Sequence, residues 1–275
     1  MNANSQPTGQ PRAIFISGGA SGIGRAIARH FGERGWFVGI GDVNKVGMED
    51  TLGLIEGGYK YMHDLDVRDR DEWENALQAF STAAGSRIDV VVNNAGIGTG
   101  GPIHELGVDE IDRCVDINIR GVLYGAQAAY QHLLKTAPGS CLVNIASAAG
   151  ITGGSGMSVY SASKFAVRGI AESLDAEWAP DGIKSCSICP SFIETPLLEG
   201  TGHRKSNESV RSRVQAAGLE ITPVEEVAAT VWDAVHGDDL HYLVGKTAKQ
   251  INFAKKWMPG RVRKQQRQSA SLLGR

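Results

Sequence analysis

A chain of 275 residues with a formal net charge of −2 has the length of one large α/β domain and no basic excess with which to hold nucleic acid. Thirty-five glycines without a collagen period imply many tight turns and close backbone approaches. No apolar run reaches the roughly 20 residues of a transmembrane helix, and the polar stretch 1–11 lacks the apolar core of an export signal, so it reads as a disordered leader of a cytoplasmic protein.

The first strand is predicted over 13–17. It runs into Ser17-Gly18-Gly-Ala-Ser21-Gly22-Ile23-Gly24, after which helical periodicity begins and continues to about 34. Glycines between a strand and a helix let the backbone turn tightly and let a helix N-terminus, with its free N–H groups, approach a pyrophosphate. The second strand, 37–41, is followed by Asp42. A carboxylate at that point can accept from a ribose 2′-hydroxyl and repels a 2′-phosphate, and no Lys or Arg stands in 19–23 or at 43–44 to receive one. The predicted cofactor is therefore NAD.

Helix is predicted over 70–84, 108–134, 161–179 and 223–235, alternating with short apolar strands over 88–92, 141–145, 185–189 and 241–244. Strands this apolar are covered on both faces, and strict alternation gives a parallel sheet with right-handed crossovers. The expected fold is a doubly wound α/β Rossmann sheet in one domain over 12–245. Two segments break the pattern. Residues 194–218 form a polar, glycine-bearing stretch expected to act as a lid. Beyond Asp239 come nine Lys/Arg and no acid, leaving 19 basic against 30 acidic residues before it, so 246–275 is a basic extension. The tail is open to three readings: a solvated segment, a contact with a neighbouring subunit through Trp257 and Met258, or adhesion to an anionic membrane surface.

Cys186 and Cys189 form a C-x-x-C, but no second Cys or His pair stands at zinc spacing, so the four cysteines read as core residues and no metal is expected. Tyr160 and Lys164 lie one helical turn apart and share a face. A tyrosine ordinarily ionises near pH 10; an adjacent ammonium and a positively charged nicotinamide are expected to lower that value and fit the phenol for proton transfer.

Taken in order, Ser17-Gly18-x-x-x-Gly22-x-Gly24, Asp64-Leu-Asp66-Val67, Asn93-Asn-Ala95-Gly96, Asn118, Ser147, Tyr160-x-x-x-Lys164 and Pro190 to Thr195 resemble the short-chain dehydrogenase/reductase family in its single-domain form, over roughly 12–245. The resemblance implies hydride transfer between NAD(H) and a secondary alcohol or ketone, with Tyr160 as general acid/base. Lys164 would hold the nicotinamide ribose, Ser147 the substrate oxygen, and Asn118 would interrupt a helix and position a water linking Lys164 to solvent. It further places Ser17, Gly18, Ser21, Gly22, Ile23 and Gly24 at the phosphates and Asp66 and Val67 at the adenine. Asn93, Ala95 and Gly96 would line the adenosine side, and Pro190, Ile193 and Thr195 the nicotinamide. Ser191 departs from the family's usual Gly, and its side chain is expected either to narrow the nicotinamide side of the pocket or to change the backbone angle there. The family's habit of pairing helices points to a homotetramer, with a dimer as alternative, through the small residues Gly121, Gly125, Ala126, Ala129, Ala162, Ala166 and Gly169.

The substrate pocket is expected between 96–104, 148–159 and the lid. Ile151, Met157, Val159, Leu197 and Leu198 favour an uncharged, fairly hydrophobic substrate; His203, Arg204, Lys205, Arg211 and Arg213 leave an anionic one open. The alternative function is a catalytically idle NAD-binding regulatory or scaffold protein, which would have no chemical need for Asn118, Ser147, Tyr160 and Lys164 together.

Overall fold

The computed structural model describes residues 10–200 and 207–271. Its centre is a seven-stranded sheet in the order β3-β2-β1-β4-β5-β6-β7, comprising β1 (Ala13–Ser17), β2 (Phe37–Asp42), β3 (Lys60–Asp64), β4 (Val90–Asn93), β5 (Ser140–Ile145), β6 (Ile183–Pro190) and β7 (His241–Val244). All six pairings are parallel. The helices are α1 (Gly22–Gly32), α2 (Lys45–Gly53), α3 (Arg70–Ala83), α4 (Val108–Val115), α5 (Gly121–Leu134), α6 (Ser158–Trp178), α7 (Val210–Ala216), α8 (Val224–His236), α9 (Lys246–Trp257) and α10 (Pro259–Ser271).

Alternation along each strand splits the core into two layers. Ile14, Ile16, Val90, Val92 and Val143 pack with Ile27, Phe31 and Val231 from α1 and α8. On the other face, Phe15, Val91 and Leu142 meet Trp73, Leu77, Phe80, Ala129 and Leu133 from α3 and α5. The second layer is led by aromatic rings: Phe80 lies 5.5 Å from both Phe15 and Phe37, centroid to centroid. Gly39 makes that possible, because a Cβ there would stand 2.6 Å from the Phe80 ring.

Strand order reverses at β1, which has β2 on one side and β4 on the other. The crossovers diverge there and leave a crevice above the carboxyl ends of β1 and β4, the usual ligand position in such sheets.

The doubly wound single domain is as the sequence predicts, and the structure adds to it. A seventh strand, β3, pairs with β2; its Lys-Tyr-Met-His-Asp sequence is half-exposed at the sheet edge, where no continuous apolar run is needed. The helix predicted over 108–134 is divided by a π-helical segment, Asp116–Arg120. The 194–218 stretch includes a 3-10 turn, Pro196–Leu198, and α7, while His203, Arg204 and Lys205 lie outside the described residues. The C-x-x-C cysteines fall on opposite faces of β6: Cys186 packs beside Cys141 and Cys189 in a separate cluster with Ile151 and Val167.

The tail corrects the first of its three readings, since it is not simply solvated. Ala248 is fully buried, and Ile251 packs against the cluster of Ile151, Val167 and Cys189. Trp257, the residue through which contact with a neighbouring subunit is expected, is 65 % exposed. No described helix is long and apolar enough to cross a membrane.

Phe80→Ala deletes the ring shared by three aromatic neighbours and is expected to destabilise the domain by about 3–5 kcal/mol, read as a lower midpoint in urea unfolding.

Candidate active site

The glycine loop follows β1 directly. Gly18 adopts φ +68°, a left-handed conformation that costs glycine nothing, and its N–H donates to Gly41 O at 2.7 Å across to β2. Gly24 sits so close under the loop that a Cβ would lie 2.2 Å from Gly18 O. The first regular helical bond of α1 is Arg25 N to Ser21 O at 3.1 Å, so the amides of Gly22, Ile23 and Gly24 precede the ladder and belong to the helix's open end. Ser21 is exposed and its side chain makes no cap bond. This bare, donor-rich turn at the positive end of an eleven-residue helix fits a dinucleotide pyrophosphate.

Asp42, at the end of β2, faces this loop. Its carboxylate accepts from Ala20 N at 3.1 Å and Asn44 N at 3.0 Å. The nearby Arg25 is committed elsewhere: its guanidinium donates to Thr51 Oγ1, Ala20 O and Gly47 O and approaches Asp50.

Several residues named from the sequence are engaged with the protein itself. The Ser17 hydroxyl donates to Val92 O and accepts from the amides of Asn94 and Ala95, tying β1 to the end of β4. Asn93 turns its buried amide toward α5 and β5, donating to Val122 O and Asn144 Oδ1. Asp66 takes Arg68 on both carboxylate oxygens, which holds its carboxyl below the ordinary range. Val67 is buried, packed where a Cβ on Gly121 would touch it. The residue that clamps the glycine loop is Asn94, whose Nδ2 donates to Ser17 O at 2.8 Å and Gly18 O at 3.0 Å; the sequence showed it only as one member of Asn93–Gly96.

The second half of the site gathers at the carboxyl end of β5. Ser147 follows the strand with extended backbone and caps the 3-10 turn Ala148–Gly150 by accepting from Ala149 N at 3.1 Å. Tyr160 and Lys164 occupy the first turns of α6. Lys164 is 6 % exposed, yet its Nζ donates to Ile145 O at 2.8 Å and stands 5.9 Å from the centroid of the Tyr160 ring. Burial pulls the Lys164 ammonium down to about 8. At neutral pH it is still protonated by about ten to one, so a positive charge is held inside the site.

Tyr160 lies half-buried near the start of α6. Burial pushes its phenol above its ordinary value of 10, and the adjoining Ser147 side chain opposes that rise without reversing it. Desolvation is the largest cause of that rise, and it favours the neutral phenol.

Asn118 is fully buried inside the π segment. Its Oδ1 accepts from Ile97 N and its Nδ2 donates to Ile97 O, both at 2.9 Å, and to Ser163 Oγ at 3.1 Å. It thereby fixes the loop after Gly96 against α6, the helix that carries Tyr160. A Cβ on Gly96 would lie 3.3 Å from Asn118 Oδ1 and 3.5 Å from Lys164 Nζ, which puts these three residues around one point.

Above them, Pro190 ends β6, Ile193 is buried, and Thr195 crosses to the glycine loop, where a Cβ on Gly22 would be 3.2 Å from Thr195 Cγ2. The two halves thus meet over the crevice. Ser191 does not narrow it, one of the two outcomes expected: its Oγ is buried and faces Gly245, where a Cβ would stand 2.4 Å away. Gly245, at φ +84°, accommodates the extra hydroxyl. Leu197 leans on Gly98 from the lid side, and Arg211 is held by Glu194 and Glu199.

Residues 12–206 match the family model for short chain dehydrogenases. The chain is 34 % identical over 258 residues to 2-(R)-hydroxypropyl-CoM dehydrogenase of Xanthobacter autotrophicus (strain ATCC BAA-1158 / Py2), covering 90 % of this chain and 97 % of that protein. It is 32 % identical over 237 residues to meso-2,3-butanediol dehydrogenase of Serratia marcescens, covering 85 % and 90 %. The crystal structure of 3-ketoacyl-(acyl-carrier-protein) reductase from Brucella melitensis complexed with NADH superimposes with a TM-score of 0.75 at 25 % identity, covering 85 % of this chain and 96 % of that one. The chain belongs to the short chain dehydrogenase family, and it is an oxidoreductase of that family.

The buried ammonium has a measurable effect on stability. Its pKa is about 8 in the folded protein against 10.5 for a free lysine, so the unfolded chain binds this proton more tightly. Lys164 therefore destabilises the fold by about 3 kcal/mol below pH 8, and the penalty fades as pH rises from 8 to 10.5. Lys164→Met removes it together with one hydrogen bond of about 1 kcal/mol. The variant is expected to be more stable than the parent by about 2 kcal/mol at pH 7, with the gap closing toward pH 10 in urea titrations.

Proposed function

We propose that this short chain dehydrogenase transfers hydride between NAD(H) and a secondary alcohol or its ketone, with Tyr160 exchanging the proton at the substrate oxygen. The observation that carries the reading is the pair at the end of β5: buried Lys164 anchored on Ile145 O at 2.8 Å, its charge 5.9 Å from the ring of half-buried Tyr160, with Ser147 alongside. A regulatory or scaffold role would have no use for an ammonium kept dry beside a phenol.

The dinucleotide, when bound, supplies the ring that gives or takes hydride and, when oxidised, a positive charge. The protein's residues do the rest. Gly18, Gly22, Ile23 and Gly24 with Ser21 receive the pyrophosphate. Asp42 accepts the adenosine ribose hydroxyls, Asp66 and Val67 border the adenine, and Ala95 and Gly96 line the adenosine side through their main chain. Pro190, Ile193 and Thr195 bound the nicotinamide. Preference for NAD over NADP rests on Asp42, because its charge repels a 2′-phosphate and the donors of Arg25 are engaged.

In reduction, Ser147 and Tyr160 hold the carbonyl oxygen, and Tyr160 gives up its proton as that oxygen becomes an alkoxide. The ammonium of Lys164 faces the phenolate left behind and binds the nicotinamide ribose. Asn118 links Lys164 to solvent through a water; with its side chain engaged by Ile97 and Ser163, that contact falls to its main chain. Oxidation runs the same steps backward. Met157, Val159 and Leu197, apolar residues of the segments taken to frame the pocket, suit an uncharged, fairly hydrophobic alcohol; the butanediol named for one relative is likewise uncharged.

Assembly into a homotetramer, with a dimer as alternative, rests on a narrower set of residues than the sequence offered. Gly121, Gly125, Ala126 and Ala129 face their own core, whereas Ala162, Phe165 and Gly169 on α6 and Leu123 on α5 are exposed.

The decisive assay follows absorbance at 340 nm with NAD or NADP against aliphatic, aryl, steroid and hydroxy-acid secondary alcohols. Tyr160→Phe is expected to lower kcat by about 10²–10⁴-fold with NADH affinity retained; turnover that survives the substitution would contradict the assignment. Asp42→Asn keeps an acceptor for Ala20 N and removes the charge, so the NAD:NADP ratio of kcat/KM is expected to fall at least about tenfold. A parent enzyme that prefers NADP would overturn the reading of Asp42.

A further inference from the structure

The segment from Gly150 to Gly156 has glycine at four of its seven positions, and ordering such backbone is costly, about 1–2 kcal/mol per residue or more. It nevertheless joins two residues whose separation must be fixed, Ser147 before it and Tyr160 after it. Its two ends are tied down. Gly150 N and Ile151 N donate to Ser147 O and Ala148 O, Arg168 donates to Gly150 O, and Gly101 N donates to Gly156 O. The middle of the loop is met from outside by the C-terminal tail: Gln266 Nε2 donates to Thr152 Oγ1 at 2.8 Å and to Gly153 O.

The tail is built to deliver that side chain. α9 is seated through buried Ala248 and through Ile251, which packs in the cluster that includes Ile151 of the same loop. On α10 the half-buried positions are Val262 and Gln266, one turn apart, while Arg261, Arg263, Lys264 and Arg267 are exposed. An i, i+4 stripe faces one way, so α10 turns Val262 and Gln266 toward the body and its cations to solvent. An uncharged amide thus reaches the loop from a helix whose charged residues are all basic.

We infer that α10 is a clasp for the substrate-side loop and that Gln266 is a positioning residue, holding Thr152 and Gly153 so that the wall between Ser147 and Tyr160 keeps the shape that admits substrate. Gln266 is placed to touch neither the dinucleotide nor the reacting atoms; it acts through the loop. The kinetic part of this inference rests on the function proposed above, whereas the structural part does not.

Two variants test it in the full-length background: Gln266→Leu, which keeps side-chain bulk and removes both donated bonds, and termination after Met258, which removes α10 and leaves α9. Hydrogen–deuterium exchange is followed over 150–157, NADH binding by fluorescence, and turnover of whichever alcohol the 340 nm panel identifies. Loss of one or two hydrogen bonds is expected to speed exchange in 150–157 and raise KM by about 5- to 30-fold, with kcat and NADH affinity within about threefold of the parent. Unchanged exchange in both variants would overturn the clasp, and faster exchange with unchanged KM would overturn its role in admitting substrate. If no alcohol in the panel turns over, the exchange arm still decides the clasp, and the proposed function fails on its own.

Discussion

A positive charge kept almost out of water organises this molecule. Lys164 is held on the carbonyl of Ile145 at 2.8 Å, and burial brings its pKa to about 8, a state that destabilises the fold and is tolerable only because the surrounding elements cannot retreat. β5 supplies the carbonyl, α6 carries the lysine one turn after Tyr160, and the π segment between α4 and α5 supplies Asn118, which fastens α6 to the loop after Gly96. A buried charge retained at the expense of stability is the pattern expected where a group serves chemistry rather than packing.

The sheet explains why that charge lies beside a cofactor cradle. Winding outward from β1 in both directions leaves the glycine loop, the end of β2 and the end of β4 around one crevice, and β5 follows β4 as the next strand. Asn94 closes the junction by bonding the main chain of the glycine loop from the end of β4. Thr195 reaches back over Gly22 from the far side. The two ends of the proposed reaction, phosphate binding and proton transfer, are thus joined through rigid strand ends.

Much of this was legible in the sequence, for a physical reason. Strands covered on both faces must be short and apolar, and the residues before and after them carry the motifs, so β1, β4, β5 and β6 and the placement of Ser147, Tyr160 and Lys164 could be read directly. Edge and surface elements obey weaker rules. β3 has one neighbour and a mixed sequence, α2 and α7 are short, and α10 is polar on most of its face. Pattern also names residues without saying where they point. Ser17 and Asn93 belong to cofactor motifs yet bond the sheet and α5, and the Ser191 hydroxyl turns into the protein beneath Gly245 rather than toward the crevice. The desolvation that raises the Tyr160 phenol in the protein alone was illegible for the same reason, since it depends on how completely the surrounding segments cover the ring.

Tyr160, half-buried and with its phenol raised above its ordinary value in the protein alone, is proposed to become a proton acceptor when the cofactor's positive charge joins that of Lys164. Difference absorbance of phenolate near 295 nm, parent minus Tyr160→Phe, titrated with pH in the absence and presence of saturating NAD, tests this directly. The transition is expected above pH 10 without NAD and at lower pH when NAD binds. A transition that NAD leaves unmoved would contradict this role for Tyr160.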